Sequence, residues 1–324
     1  MKLARYHGAG LVRIEDEPVP EIGPGGLLVQ TEACGLCSGE LMDWYMDRKV
    51  PHVLGHEVAA RVVASDDPRF AVGQRIYPHH HAPCGTCDVC RRGWPVHCAT
   101  WKATRLRPGG MAEFFAVDAA NLADTHVVDD LEAPDAALIE PLACVEKSLR
   151  LARVTPADRV AVVGLGVMGL LHLLRVAPAG VGYDLRSDRR AWARNQGLEA
   201  RNPGDVPSHD PEHADVVIVC PGSEAALRFG LQLAAPGARV VLFAPMPPGE
   251  DTALPLHDLY FQDIALINAY SCGPADTLAA IAAIRRGVVR ASAVVSHFIT
   301  LRDLPEAYLA MKRADILKPM VIFS

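Results

Sequence analysis

A glycine turn between an apolar strand and a helix constrains this chain more than any other feature. Arg159-Val160-Ala161-Val162-Val163 reads as a buried strand, Gly164-Leu165-Gly166-Val167-Met168-Gly169 follows at once, and a helix is predicted over residues 167–177, stopped by Pro178. The first glycine makes a tight turn, the second lets backbone approach a pyrophosphate, and the third lets the helix pack against the strand. The helix N-terminus adds N–H groups and partial positive charge. Asp184 lies twenty residues after Gly164, at the end of a predicted strand 181–183, where it can accept hydrogen bonds from a ribose diol and repel a 2′-phosphate. NAD is therefore expected over NADP, with Arg189 among the candidate contacts. Arg186, Arg189 and Arg190 crowd the same place and could instead neutralise a phosphate.

The alternation continues beyond this turn. Ser187 is expected to cap a helix running to Gln196, with Gly197 just past its end. Strands at 215–220 and 239–244 flank a helix opened by Ser223 and closed at Pro236-Gly237, and residues 202–213 read as a loop. Such alternation implies βαβ units in a doubly wound parallel sheet, an α/β fold. Residues 1–150 differ, being short β-like runs between Gly/Pro turns. After Gly273-Pro274 come a helix (275–286), a strand near 294–298, a helix (303–313) and a strand near 319–323. That tail is too short to be a domain, so it is expected to return and complete the first one. The expected organisation is residues 1–150 with 274–324, around a dinucleotide-binding domain of residues 151–273. Two domains also suit 324 residues at roughly 150 per domain.

Cys84, Cys87, Cys90 and Cys98 form a C-x2-C-x2-C-x7-C run within the lobe 84–98. Four thiolates on a turn-rich loop close a tetrahedral shell around Zn²⁺ with no open position, which makes the site structural. An iron–sulfur cluster is the rival, but its bacterial run ends C-x3-C-P, whereas here the last interval is seven residues and Ala99 follows Cys98. With four of nine cysteines at metal spacing, a secreted disulfide framework is disfavoured and a cytoplasmic setting expected. The formal charge of −6, without a basic stripe, argues against nucleic acid and anionic membranes. The most apolar run, residues 160–171, falls short of a spanning helix, and the first eight residues lack a signal peptide's apolar core.

Cys37, the pair His56-Glu57 and Glu140 are each ordinary alone. With them stand Glu17-Pro18-Val19-Pro20-Glu21-Ile22-Gly23-Pro24-Gly25, Ala33-Cys34-Gly35-Leu36-Cys37, Val53-Leu54-Gly55-His56-Glu57, the cysteine lobe, Gly109-Gly110-Met111-Ala112-Glu113-Phe114 and the glycine turn. In these segments, nearly end to end, the chain resembles the medium-chain zinc-dependent dehydrogenase/reductase superfamily. The resemblance implies a GroES-like catalytic domain made from both chain ends and a Rossmann domain. It implies two zinc ions per chain, the second held by Cys37 and His56, with Glu57 an exchangeable or outer ligand. Glu140, in Glu140-Pro141-Leu142, matches the glutamate of the polyol (sorbitol), threonine and glucose dehydrogenase branches. Thiolate, neutral imidazole and carboxylate would cancel the charge of Zn²⁺ and leave a fourth position open. Cys144, one helical turn beyond Glu140, competes for the third place.

The implied reaction is hydride transfer between a secondary alcohol (a polyol, sugar or sugar-derived substrate) and NAD. The same fold would also serve an aldehyde or ketone reductase, or a dinucleotide-binding protein without catalysis. Family members usually carry Ser or Thr two residues after the zinc cysteine and His five after it as a proton relay; this chain has Gly39 and Met42. Ser38 is the candidate replacement, with Glu40, His52 and Glu57 nearby. His79-His80-His81 is expected to be a solvated loop tract, Glu146-Lys147 a solvated helix face, and Trp44 and Tyr45 either pocket lining or core. Residues 265–270 are expected to form an edge strand that extends the sheet in a homodimer or homotetramer, as in the family.

Overall fold

Val160–Val163 is buried along its whole length, as a strand covered on both faces must be. It lies inside a six-stranded sheet whose spatial order is Glu199–Arg201, Gly180–Tyr183, Val160–Val163, Ala214–Val219, Ala234–Leu242 and Ala265–Asn268. Every pairing is parallel, and the order reverses beside the first strand, where the glycine turn leaves the sheet. The structure is a computed structural model describing residues 1–207 and 213–323. It divides into two compact units, Met1–Ala143 with Cys272–Ser324, and Cys144–Ser271.

In the second unit Val163, Tyr183, Val217, Leu227, Leu233 and Val240 form a common core. The helices Val167–Val176, Ser187–Asn195 and Glu224–Leu233 connect the strands. Ser223 does cap the last of these, accepting the Ala226 N–H at 3.3 Å. Ser187 is not a cap: Arg186, extended at φ −79° and ψ 125°, takes that place and Ser187 is the first helical residue. Nor does the third helix close at Pro236-Gly237. It ends at Leu233, and the dipeptide lies inside the strand Ala234–Leu242, where Gly237 at φ 79° sits in an irregularity that shifts the register with Ala214–Val219. In the polar stretch 202–213, Asn202 caps a short 3₁₀ turn, Pro203–Asp205; residues 208–212 lie outside the described residues.

The first unit is built on the strand Leu27–Gly35. It pairs antiparallel with Glu57–Ser65, Phe114–Val117 and the C-terminal strand Pro319–Ile322 within an eight-stranded sheet. The tail therefore returns to the first sheet, with Met320 and Val321 fully buried opposite Gly35 and Cys34. Its helices are Pro274–Arg285 and Leu304–Lys312. The strand expected near 294–298 is His297–Ile299, because the Ala291 carbonyl takes the N–H groups of Val294 and Val295 at 3.1 and 2.8 Å and holds them in the turn that follows the 3₁₀ helix Ala291–Ala293. Among the described residues no helix is long and apolar enough to cross a membrane.

Candidate functional site

The cysteine lobe turns back on itself at Gly85 and Gly93, at φ 72° and 82°. Cys84, Cys87, Cys90 and Cys98 bring their sulfurs within 4.8 Å of one another. Trp101 and Val96 pack with Cys98 against this group. N–H and hydroxyl donation from Thr86, with the Cys87 N–H, pulls the Cys84 thiol down to about 5, toward the thiolate that metal binding requires. Four converging soft donors fit a structural zinc.

Cys37 ends the crossing from the central strand and caps the 3₁₀ turn Ser38–Leu41. Glu40 folds back in that turn: its carboxylate accepts the Cys37 N–H at 3.4 Å and the Gly55 N–H at 2.8 Å, and lies 3.4 Å from His56 Nδ1. Gly55 is required here. It stands at φ 93°, and a Cβ would come within 2.5 Å of the Met111 nitrogen. His56 in turn hydrogen-bonds Cys37. Burial pulls the imidazole pKa down, yet Cys37 and Glu40 together raise it well above the ordinary value. Burial pushes the Glu40 carboxyl up, but His56 and the Gly55 N–H outweigh it and keep the group low. For Cys37, burial raises the thiol, which His56 only partly offsets, while the charges of Glu57 and Glu140 push it further up. A thiol held up by burial and by two carboxylates, beside an imidazole and Glu40, is a site that a divalent cation would relieve.

The other expected ligands, whose charges act on Cys37, also have partners of their own. Glu57 Oε2 accepts from Lys318 Nζ in an ion pair whose side chains are both 1% exposed, and Lys318 also donates to the Leu36 carbonyl at 3.0 Å. Register explains this pairing: Glu57 stands opposite Gly35, and Gly35 opposite Met320. Glu140 sits in the first turn of the helix Ile139–Leu151, with Cys144 a turn further on. Its carboxylate gathers with His79 and Cys272, the three donor atoms lying within 4.8 Å of one another. Cys37 and His56 belong to neither of the two such groups found among the described residues. Ser38 is exposed at the start of its turn.

Two expectations about charged tracts are corrected. His79 is fully buried, His80 is half-buried with its ring 4.7 Å from that of His56, and the His81 ring lies tilted 4.0 Å from that of Trp101. Burial drives the His81 pKa down to about 3. The tract follows the strand Arg75–Pro78 inward, which a run of three polar residues does not announce. Glu146 and Lys147 are also buried; Glu146 pairs with Arg175, and Lys147 donates to the Tyr270 carbonyl. Trp44 and Tyr45 meet edge to face at 5.8 Å, with Tyr45 exposed and Lys49 over its ring. Sequence reasoning missed Glu40 as the partner of His56, although its place three residues after Cys37, in a capping box, is a readable signal.

In the second unit the glycine turn has the form expected of a pyrophosphate cradle. Gly164 stands at φ 86°, a Cβ on Gly169 would lie 1.8 Å from the Gly164 carbonyl oxygen, and one on Gly166 would meet nothing within 4 Å. Leu165 donates its N–H to Asp184 Oδ2 at 2.7 Å, and Arg186 donates to Oδ1 at 2.8 Å. Arg186 also pairs with Asp188, and Arg190 donates to the carbonyls of Asp184 and Leu185. Arg189 is half-buried, and that burial lowers its pKa despite the Asp188 charge.

Comparisons with known proteins place the chain among dehydrogenases. Residues 23–127 match the alcohol dehydrogenase GroES-like domain. D-altritol 5-dehydrogenase of Agrobacterium fabrum is 30% identical over 286 residues, 84% of each chain. An L-threonine 3-dehydrogenase of Rhizobium etli is 26% identical over 93% of this chain and 92% of its own. A crystal structure from Sinorhizobium meliloti 1021, bound to NADP, superimposes with a TM-score of 0.88 at 26% identity and covers 99% of both chains. The chain belongs to the medium-chain zinc-dependent dehydrogenase superfamily, in its polyol and threonine dehydrogenase branch. Members of this branch are oxidoreductases of CH–OH groups built from a GroES-like and a Rossmann domain.

Proposed function

We propose that this chain is a zinc- and NAD-dependent dehydrogenase of a polyol, sugar or sugar-derived secondary alcohol. The observation that carries the reading is the half-buried Cys37–His56 contact, with the buried Glu40 fixing the imidazole from behind. Cys37 and His56 hold the metal, Glu140 is the third donor, and the Cys84–Cys98 lobe holds a second, structural zinc. When bound, zinc supplies Lewis-acid polarisation of a hydroxyl and the nicotinamide supplies the hydride acceptor. Glu40 keeps the His56 ring oriented. Glu57 balances Lys318 in the ground state and is available as an exchangeable donor. Ser38, exposed at the turn, is the candidate that passes the alcohol proton to water.

NAD is preferred because the Asp184 carboxylate lies beside the glycine turn and retains accepting capacity for a ribose diol, while Arg186 and Arg190 are already engaged. The name of the altritol-oxidising relative supports a polyol substrate. The nine free thiols suit a reducing cytoplasm, and the exposed edge strand Ala265–Asn268 suits a homodimer or homotetramer. The test is a panel of polyols, sugar alcohols and simple secondary alcohols, assayed by NADH formation with the zinc-loaded chain. A polyol should give the highest kcat/KM with NAD, and loss of activity in Cys37→Ser should accompany loss of one zinc. A zinc-replete chain that turns over none of them in either direction would overturn the reading.

A further inference from the structure

His79, Glu140 and Cys272 reach one point from three elements of the first unit. His79 follows the strand Arg75–Pro78, Glu140 lies in the first turn of Ile139–Leu151, and Cys272 precedes the helix Pro274–Arg285. Their exposures are 0%, 5% and 0%, and their donor atoms lie within 4.8 Å of one another. The imidazole is aimed. Its Nδ1 is 2.7 Å from Asp124 Oδ2, and its Nε2 is turned toward Cys272 Sγ at 3.6 Å. Asp124 is itself held, by Thr277 Oγ1 at 3.1 Å and His126 Nε2 at 3.0 Å, and the His79 carbonyl accepts from Asn121 at 3.0 Å.

We infer that His79, Glu140 and Cys272 form a further binding position for a divalent metal ion, of the zinc class, beside the Cys37–His56 pair. A carboxylate behind a histidine, fixing the tautomer so that the far nitrogen faces the ligand point, is the arrangement that orients metal-binding imidazoles. Neutral histidine, carboxylate and thiolate carry two negative charges, which match a divalent cation, and the mixed sulfur, nitrogen and oxygen donors suit zinc better than magnesium or calcium. Glu140 has two oxygens, so it can serve this position and the Cys37–His56 position together. Burying a thiol and a carboxylate this close together is costly unless a cation or a shared proton compensates.

Cadmium-113 NMR and metal counting on the full chain, with cadmium alone as probe, test this. The Cys37→Ser chain should keep two equivalents, one with a four-sulfur resonance and one with a mixed-donor resonance. The mixed signal should vanish in Cys37→Ser/Cys272→Ala and return in Cys37→Ser/Cys272→Asp, which restores an anionic donor. Asp124→Asn should weaken that equivalent alone by roughly 10–100-fold. If the Cys37→Ser chain holds a single four-sulfur equivalent, the cluster is only a hydrogen-bonded triad and the inference fails, whether or not the Cys272 variants fold. The proposed activity fails separately: if Cys37→Ser binds as much metal as the unsubstituted chain, that reading is lost while this one stands.

Discussion

At the scale of single residues, the side chain that organises the Cys37–His56 pair is Glu40, which binds no metal in the proposed reading. It is 3% exposed, and it closes the turn after Cys37 while facing His56 across 3.4 Å. A glutamine there keeps the shape and one accepting oxygen but gives up the charge that favours the imidazole. Glu40→Gln is therefore expected to lower zinc affinity at this site by roughly 10–100-fold, the usual consequence of losing an outer partner of a metal-bound histidine. Competition against a chelator measures it, with the four-cysteine lobe as internal reference, since its zinc should be retained. Equal loss from both positions would mean that the substitution had loosened the unit as a whole.

At the scale of elements, legibility followed the range of the physics. The strand–glycine–helix unit was readable because a few adjacent residues dictate it: Gly169 has no alternative when a Cβ would meet the Gly164 carbonyl at 1.8 Å. The cysteine lobe was readable for the same reason. His79, Glu140 and Cys272 were not, since nothing local marks residues so far apart in sequence as neighbours. The helix Val167–Val176 carries a second hidden contact. His172, fully buried, lies 2.7 Å from both the Met168 carbonyl and Ser148 Oγ. Burial, only partly offset by that carbonyl, pulls its pKa from 6.5 down to about 4. Below pH 6.5 the unfolded chain takes up this proton first, so the stabilisation is complete above that pH and is lost as pH falls toward 4. Going from pH ~7 to ~5 should cost the second unit about 2 kcal/mol through this group. Urea unfolding of the unsubstituted chain and His172→Gln at both pH values isolates it, because the variant should lack that part of the pH dependence whatever its absolute stability.

At the scale of the whole molecule, the first unit depends on a contact between residues 261 positions apart, Glu57 and Lys318. The C-terminal strand pairs along Leu27–Gly35, and Lys318, just before it, reaches over Gly35 to the Glu57 carboxylate; a Cβ on Gly35 would meet Lys318 Cε at 2.9 Å. Apolar burial alone would favour any docking of a strand with two buried side chains such as Met320 and Val321. The ion pair distinguishes the native register, since a slip by one residue would move Lys318 away and leave two charges in the interior. Removing one partner is therefore worse than removing both. Lys318→Met strands the Glu57 charge and is expected to cost roughly 3–5 kcal/mol, while Lys318→Met/Glu57→Gln should recover most of that loss because no unpaired charge remains. A double-mutant cycle by urea unfolding decides between this and simple packing. If the losses of the two single variants add in the double, the two residues act independently, and the register must be held by the backbone pairing and buried apolar side chains instead.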